Sequence, residues 1–309
     1  MKPLRQRVIN NSTIIANILI LNKTINNDII FTNIITLNKQ YERKVLVMST
    51  ILDTIAEYAK VRVASAKKLH SLEEVKRSAL ATNCDTDFPF EQALSANGIS
   101  FICECKKASP SKGLIAEDFP YLEIAKEYEA AGASCISVLT EPKWFLGKDE
   151  YLKEISSTVT IPCLRKDFTV DEYMIYEAKL LGASAVLLIC SLLPADTIKH
   201  YIEICDELGL SALVEAHDET EISMAVNAGA RIIGVNNRNL KNFTVDISNS
   251  GRLRHLVPDN ILFVAESGIN SRSNVAALEA AQVDAVLIGE TLMRSDNKKI
   301  MLDELKGNR

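Results

Sequence analysis

From residue 99 onward, short apolar runs alternate with segments whose apolar residues recur at helical spacing. The runs lie at 99–105, 133–140, 161–168, 185–190, 211–217, 231–237, 262–267 and 285–290. Each is nearly continuous, as in AVLLIC at 185–190 and RIIGVNN at 231–237. A strand that is apolar throughout is buried on both faces, the condition of a parallel sheet covered by helices. A related phrase precedes several runs: EYEAAGASCISVL at 127–139, YEAKLLGASAVLLI at 176–189, SMAVNAGARIIGV at 223–235, and ALEAAQVDAVLIG at 277–289, which lacks the glycine. Each phrase reads as a helix end, a glycine suited to the left-handed position that follows it, and a strand. Gly132, Gly182 and Gly229 are 50 and 47 residues apart, two strand–helix units per interval. Eight such units predict an α/β fold, a (β/α)8 or TIM barrel. An open doubly wound sheet is the alternative, weakened because no G-x-G-x-x-G follows the first strand. Two helical patterns near 50–67 and 71–81 precede the first strand. They predict an N-terminal helical extension over 48–98 that covers one end of a barrel formed by 99–309.

Residues 1–47 have a different composition. They hold 10 Ile and 8 Asn, with 7 Lys or Arg against 2 Asp or Glu. No stretch there matches a membrane span or a secretory signal. A transit peptide is conceivable from the basic balance, although Arg and Ser are not enriched. The segment is expected to be a leader outside the fold, with Met48 as the start of the functional chain. The net charge of −5 over 309 residues becomes −10 beyond the leader. That balance argues against nucleic acid as the partner. The chain is 47% hydrophobic and 24% charged, which excludes a mostly disordered protein. Seven scattered Cys mostly lie in apolar runs and read as buried thiols of a reducing, cytoplasmic setting. Cys103 and Cys105 have one residue between them, so they form neither a redox motif nor half a zinc site. The four His are widely spaced and offer no metal-ligand pattern.

Active sites of (β/α)8 barrels lie at the C-terminal ends of the strands. Those ends read Glu104-Cys105-Lys106-Lys107, Leu164-Arg165-Lys166-Asp167-Phe168, Val214-Glu215-Ala216-His217, Val235-Asn236-Asn237-Arg238, Ala265-Glu266-Ser267-Gly268 and Ile288-Gly289-Glu290-Thr291. Alternate residues of a strand face the same side, so Glu104 and Lys106 point together and Cys105 points away. An ionised group in an apolar strand is costly unless it is paired or used. Lys106, Lys166, Glu104 and Glu215 are therefore candidates for catalysis, against the plainer reading of a structural ion network. Ser267, Gly268 and Gly289 put small residues at the seventh and eighth ends, the usual phosphate side of this fold. Arg238 either adds charge near that anion or pairs with a carboxylate. Ser109-Pro110-Ser111-Lys112-Gly113 forms a polar loop that could cap the site or move as a lid.

These strand ends resemble indole-3-glycerol-phosphate synthase of tryptophan biosynthesis. The resemblance rests on ECKKASPSKG at 104–113, SVLTEPKWFLG at 137–147, PCLRKDF at 162–168, VLLI at 186–189, LVEAHDE at 213–219, IGVNNRNL at 233–240, VAESGI at 264–269 and LIGETLM at 287–293. It runs from about Met48 to about 306, and MSTILDTIAEYAKVRV at 48–63 fits the family's start. The family closes an indole ring on 1-(2-carboxyphenylamino)-1-deoxyribulose 5-phosphate, with loss of CO2 and water. The resemblance implies that Lys166 is the general acid and that Lys106 holds the anthranilate carboxylate and takes part in dehydration. It implies that Glu104 and Glu215 act as base or orient the lysines, and that Asn236 and Ser267 bind substrate hydroxyls or the leaving water. Ser109, Gly268, Gly289 and the backbone at Glu290 would hold the phosphate, with the Glu290 side chain turned away. Trp144, Phe145, Phe168 and Leu187 would wall the aromatic ring. No metal, pyridoxal phosphate or thiamine cofactor is implied. The partners implied are a small phosphorylated substrate and other tryptophan-pathway enzymes, with no nucleic acid or membrane. Phosphoribosylanthranilate isomerase is the alternative enzyme, disfavoured because its acid–base pair would be Cys and Asp. A catalytically silent barrel would be expected to have lost the charges that Lys106, Lys166 and Glu215 retain.

Overall fold

The computed structural model describes residues 50–239 and 243–308. The expected leader at 1–47 lies outside these residues. Among the described residues no helix is long and apolar enough to cross a membrane.

The eight expected strands are present: β1 (Ser100–Cys105), β2 (Cys135–Leu139), β3 (Cys163–Lys166), β4 (Ala185–Ile189), β5 (Ser211–Ala216), β6 (Ile232–Asn236), β7 (Leu262–Glu266) and β8 (Ala285–Ile288). Each pairs in parallel with its neighbours in sequence, and β8 returns to β1 to close the barrel. Several strands are shorter than the apolar runs suggested. Pairing of β3 stops where Lys166 faces Leu139, because the next residue uses its side chain on the backbone: Asp167 Oδ1 accepts the Phe168 N–H at 2.8 Å. Phe168 is thus a loop residue. Likewise β8 stops at Ile288, and Glu290 opens a short helix.

The outer helices are α4 (Tyr121–Ala130), α5 (Asp149–Thr158), α6 (Tyr173–Leu180), α7 (Ala195–Glu207), α8 (Glu219–Asn227), α9 (Ser248–Leu253), α10 (Arg272–Ala280), α11 (Glu290–Met293) and α12 (Lys298–Lys306). Period two divides the strands. Outward residues such as Cys103, Cys163 and Val214 join the helix-facing core, while Ile102, Leu164, Leu213, Ile232, Val264 and Ala285 fill the barrel.

Three helices precede β1: α1 (Ile51–Leu69), α2 (Leu72–Leu80) and α3 (Pro89–Leu94). Capping boxes start the first two, Thr50 with Asp53 and Ser71 with Glu74. The third begins on Pro89, whose fixed φ suits a first helical turn. The extension reaches both ends of the barrel rather than one, closing one and flanking the other. From α1, Leu52 and Ile55 reach the mouth, and Arg62 binds Asp167 beyond β3 through both terminal nitrogens at 2.7 and 3.2 Å. From α3, buried Phe90 and Leu94 plug the opposite end, where Glu91 binds Arg231 and the Ser211 hydroxyl at the strand starts.

Candidate active site

A cavity of about 1130 Å³ opens at the C-terminal ends of the strands. Its floor is the set of inward residues that follow the apolar layers. Glu104 and Lys106 of β1 do point together, and the Lys106 ammonium donates to Glu104 Oε1 at 2.5 Å. Glu104 also accepts from the Ser137 hydroxyl at 3.3 Å. Lys166 at the end of β3 donates to Glu266 of β7 at 2.6 Å and to Glu215 of β5 at 3.4 Å. All three carboxylates are buried.

Glu266 is the residue that reasoning from sequence left out. Its signal was present: it stands two residues after inward Val264, the same alternation that picked out Glu104. The small residues Ser267 and Gly268 beside it point to phosphate instead. Gly234 provides its space, since a Cβ there would collide with the Glu266 carboxylate. Gly289 does the same for β1: a Cβ would lie 2.5 Å from Glu104 Oε1 and 2.8 Å from Lys106 Nζ.

The electrostatics follow from crowding three acids around two ammonium groups. Burial alone would lower the proton affinity of Lys166, but Glu266, Glu215 and Glu104 outweigh it and raise it. Burial pushes Glu215 up, and Lys166 with His217 more than reverses that, leaving it below the ordinary carboxyl value. Glu266 goes the other way: burial outweighs Lys166, Glu215 adds repulsion, and its pKa rises to about 7. One ammonium cannot neutralise two buried carboxylates equally, so the pair is driven apart, Glu266 above the ordinary carboxyl value and Glu215 below it.

Asn236 ends β6 and hydrogen-bonds Glu215. The Arg238 guanidinium donates to the Phe243 carbonyl at 3.4 Å, on the cavity wall. Ser267 and Gly268 both have left-handed backbones, at φ +69° and +81°. For Ser267 that conformation is strained, and buried Asn237 secures it by donating to the Ser267 carbonyl at 3.2 Å. Gly268 has no room for a Cβ, which would strike Val245. Ser109 sits in a short hairpin, Ala108–Ser109 with Gly113–Leu114, and its Oγ is buried without a hydrogen-bond partner among the described residues. Glu290 opens α11 at the same rim. Its carboxylate is tied to Lys112 at 3.3 Å and Arg294 at 3.2 Å. Burial would raise its pKa, but these two cations lower it.

Phe145, Phe168 and Leu187 line the cavity, the two rings 6.2 Å apart. Trp144 does not. The loop after β2 lays it against Tyr58 of α1, edge to face at 5.6 Å, with Lys143 over both rings. The cause is Glu141, fully buried, whose carboxylate accepts the N–H groups of Lys143, Trp144 and Phe145 at 2.7–3.0 Å. Three successive N–H groups converging on one anion fix the turn that puts Phe145 on the cavity wall and its neighbour against α1. Glu141 carries no sequence signal beyond its place before Pro142.

Residues 52–305 match the family model described as indole-3-glycerol phosphate synthase. The chain is 59% identical over 258 residues to the indole-3-glycerol phosphate synthase of Ruminiclostridium cellulolyticum, covering 84% of this chain and 99% of that protein. It is 56% identical over 256 residues to that of Endomicrobium trichonymphae, covering 83% and 99%. Among solved structures, a 3-hexulose-6-phosphate synthase superposes with a TM-score of 0.57 at 13% identity, over 68% of this chain and 99% of that one, a likeness of fold.

Proposed function

The chain belongs to the indole-3-glycerol phosphate synthase family, and we propose how its barrel mouth divides the work of that reaction. It is a carboxy-lyase of tryptophan biosynthesis. The reaction closes an indole ring on 1-(2-carboxyphenylamino)-1-deoxyribulose 5-phosphate and releases CO2 and water. The ring carbon that bears the carboxylate attacks the ribulose ketone, and the carbonyl oxygen must gain a proton as its π bond breaks. Lys166 is the acid. The observation that carries this assignment is the placement of its ammonium on a rigid strand end, between Glu215 and Glu266 and facing the cavity. Loss of CO2 returns the bonding electrons to the ring. Glu215, kept ionised, accepts the proton removed from the substrate during dehydration, and the former ketone oxygen, protonated once by Lys166, takes its second proton from Lys106 and leaves as water.

The ends of the substrate need separate anchors so that ring carbon and ketone are held in contact. Lys106 holds the anthranilate carboxylate, oriented by Glu104 at 2.5 Å. Phe145, Phe168 and Leu187 wall the ring. The unpartnered Ser109 Oγ and the backbone of Gly268, Gly289 and Glu290 take the phosphate, with Arg238 nearby. Asn236 and Ser267 face the sugar hydroxyls and the leaving water. The seven free thiols support a reducing, cytoplasmic setting, and contact with other enzymes of the pathway is part of the same proposal.

The test is stoichiometry. The full chain mixed with the substrate is expected to give one CO2 per indole formed, read by gas release and indole fluorescence. Isomerisation of phosphoribosylanthranilate without CO2 would overturn the assignment in favour of the neighbouring barrel chemistry.

A further inference from the structure

His217 follows β5 at the edge of the catalytic cluster and has no part in the roles above. Its ring is held from both sides. Nδ1 lies 3.0 Å from Glu221 Oε2, and the His217 backbone N–H donates to that same oxygen at 2.7 Å. Nε2 lies 3.5 Å from Glu215 Oε1 and is buried without a hydrogen-bond partner among the described residues. Glu221 is itself fixed in the first turn of α8, where its N–H donates to the Asp218 carboxylate at 2.9 Å. A neutral imidazole carries a proton on one nitrogen and a lone pair on the other. Here both nitrogens face carboxylates, so the neutral ring would direct a lone pair at an anion in either tautomer. Only the imidazolium suits both neighbours.

We propose that His217 is a positioning residue for the ring closure: an imidazolium clamped by Glu221 that holds Glu215 ionised and aimed at Lys166. The inference rests on the assignment of Glu215 as the base. The charged groups around the ring support it. Glu215 comes from β5, Glu221 and Asp218 from the start of α8, and Glu266 from β7. Lys166 of β3 lies beyond Glu215, at 3.4 Å from that carboxylate. The other neighbours are neutral: Asn236 on Glu215, Asn249 of α9 on the His217 carbonyl at 3.4 Å, and the Cys190 thiol, whose pKa burial pushes up to about 12. Burial disfavours the cation, yet Glu221 and Glu215 outweigh burial and raise the imidazole above its ordinary value.

Two readouts test this. The chain has four histidines, so imidazole 15N spectra of the full protein can isolate His217. Both of its nitrogens are expected to be protonated at about pH 7, and Glu215→Gln is expected to lower its midpoint by about one pH unit or more. A neutral His217 at that pH, or a midpoint indifferent to Glu215→Gln, overturns the clamp. The second readout is kcat/KM against pH. Without the cation Glu215 binds its proton more tightly, so the acidic limb in His217→Gln is expected to move up by about one pH unit. Glu221→Gln should move it in the same direction, with KM at the optimum within about twofold of the parent. A limb that stays in place in both variants overturns the positioning role. Turnover of Glu215→Gln judges the base assignment separately: a kcat equal to the parent's removes Glu215 as base, while the spectra judge the clamp by themselves.

Discussion

Glu266 carries a raised carboxyl within the ion cluster at the barrel mouth, and its effect can be read without substrate. Burial and the neighbouring Glu215 raise its carboxyl from an ordinary 4.5 to about 7, Lys166 notwithstanding. Between those values the folded chain holds more protons than the unfolded one. Stability from this group is therefore fully present below 4.5 and declines as pH rises through about 7. Glu266→Gln keeps the shape without the titration. Its melting temperature relative to the parent is expected to climb between about pH 5 and pH 8, while kcat falls because Lys166 loses its nearer carboxylate. A melting difference that stays flat over that range would contradict the raised carboxyl. Lys106, Lys166, Glu104 and Glu215 were legible in the sequence because a charge at an inward position of an apolar strand has few explanations. Glu266 obeyed the same rule, and the clamped ring of His217 did not: its two carboxylates meet only when the start of α8 folds back over the end of β5.

At the scale of elements, the strands were legible and their loops much less so. Eight apolar runs gave the barrel because burial on both faces leaves a plain mark. The run at 161–168 overshot, since Asp167 leaves the sheet to bind Arg62 and the Phe168 N–H, while Arg165, the outward residue of β3, enters an ion network. Arg165 is 2% exposed and bound to Asp149 and Glu177, each at 2.7 Å. The adjacent aromatics Trp144 and Phe145 suggest one wall in the sequence, and the structure parts them because Glu141 turns the backbone between them. That turn can be tested. Glu141→Ala would leave three N–H groups without their acceptor, at a cost of about 1–3 kcal/mol for each that water does not reach. The variant is expected to melt earlier and to show KM raised about tenfold or more, as Phe145 leaves the ring wall. An unchanged KM in a folded Glu141→Ala would mean that Phe145 is not part of the substrate's wall.

Across the whole molecule, the two ends of the barrel are treated differently. The α3 plug closes one end with Phe90 and Leu94, and Glu91 locks it to Arg231 and Ser211. The other end stays open, flanked by α1 through Leu52 and Ile55, with Arg62 tied to Asp167. Reading helices from 50–67 and 71–81 found α1 and α2 but not α3, whose six residues are too few to show a helical period. The plug explains why the charged layer can lie so deep: apolar side chains fill the barrel beneath it, so Lys166, Glu215 and Glu266 are buried on every side but the cavity. The proposed role of Lys166, supplying the proton that drives ring closure, carries the other roles with it. Its most direct test is kcat of Lys166→Ala beside the parent, at saturating substrate and followed by indole fluorescence. A loss of about 10²-fold or more is expected, with the fold intact by circular dichroism. Equal turnover by the two proteins would contradict it and move the acid to another group in the cluster, with Lys106 next in line.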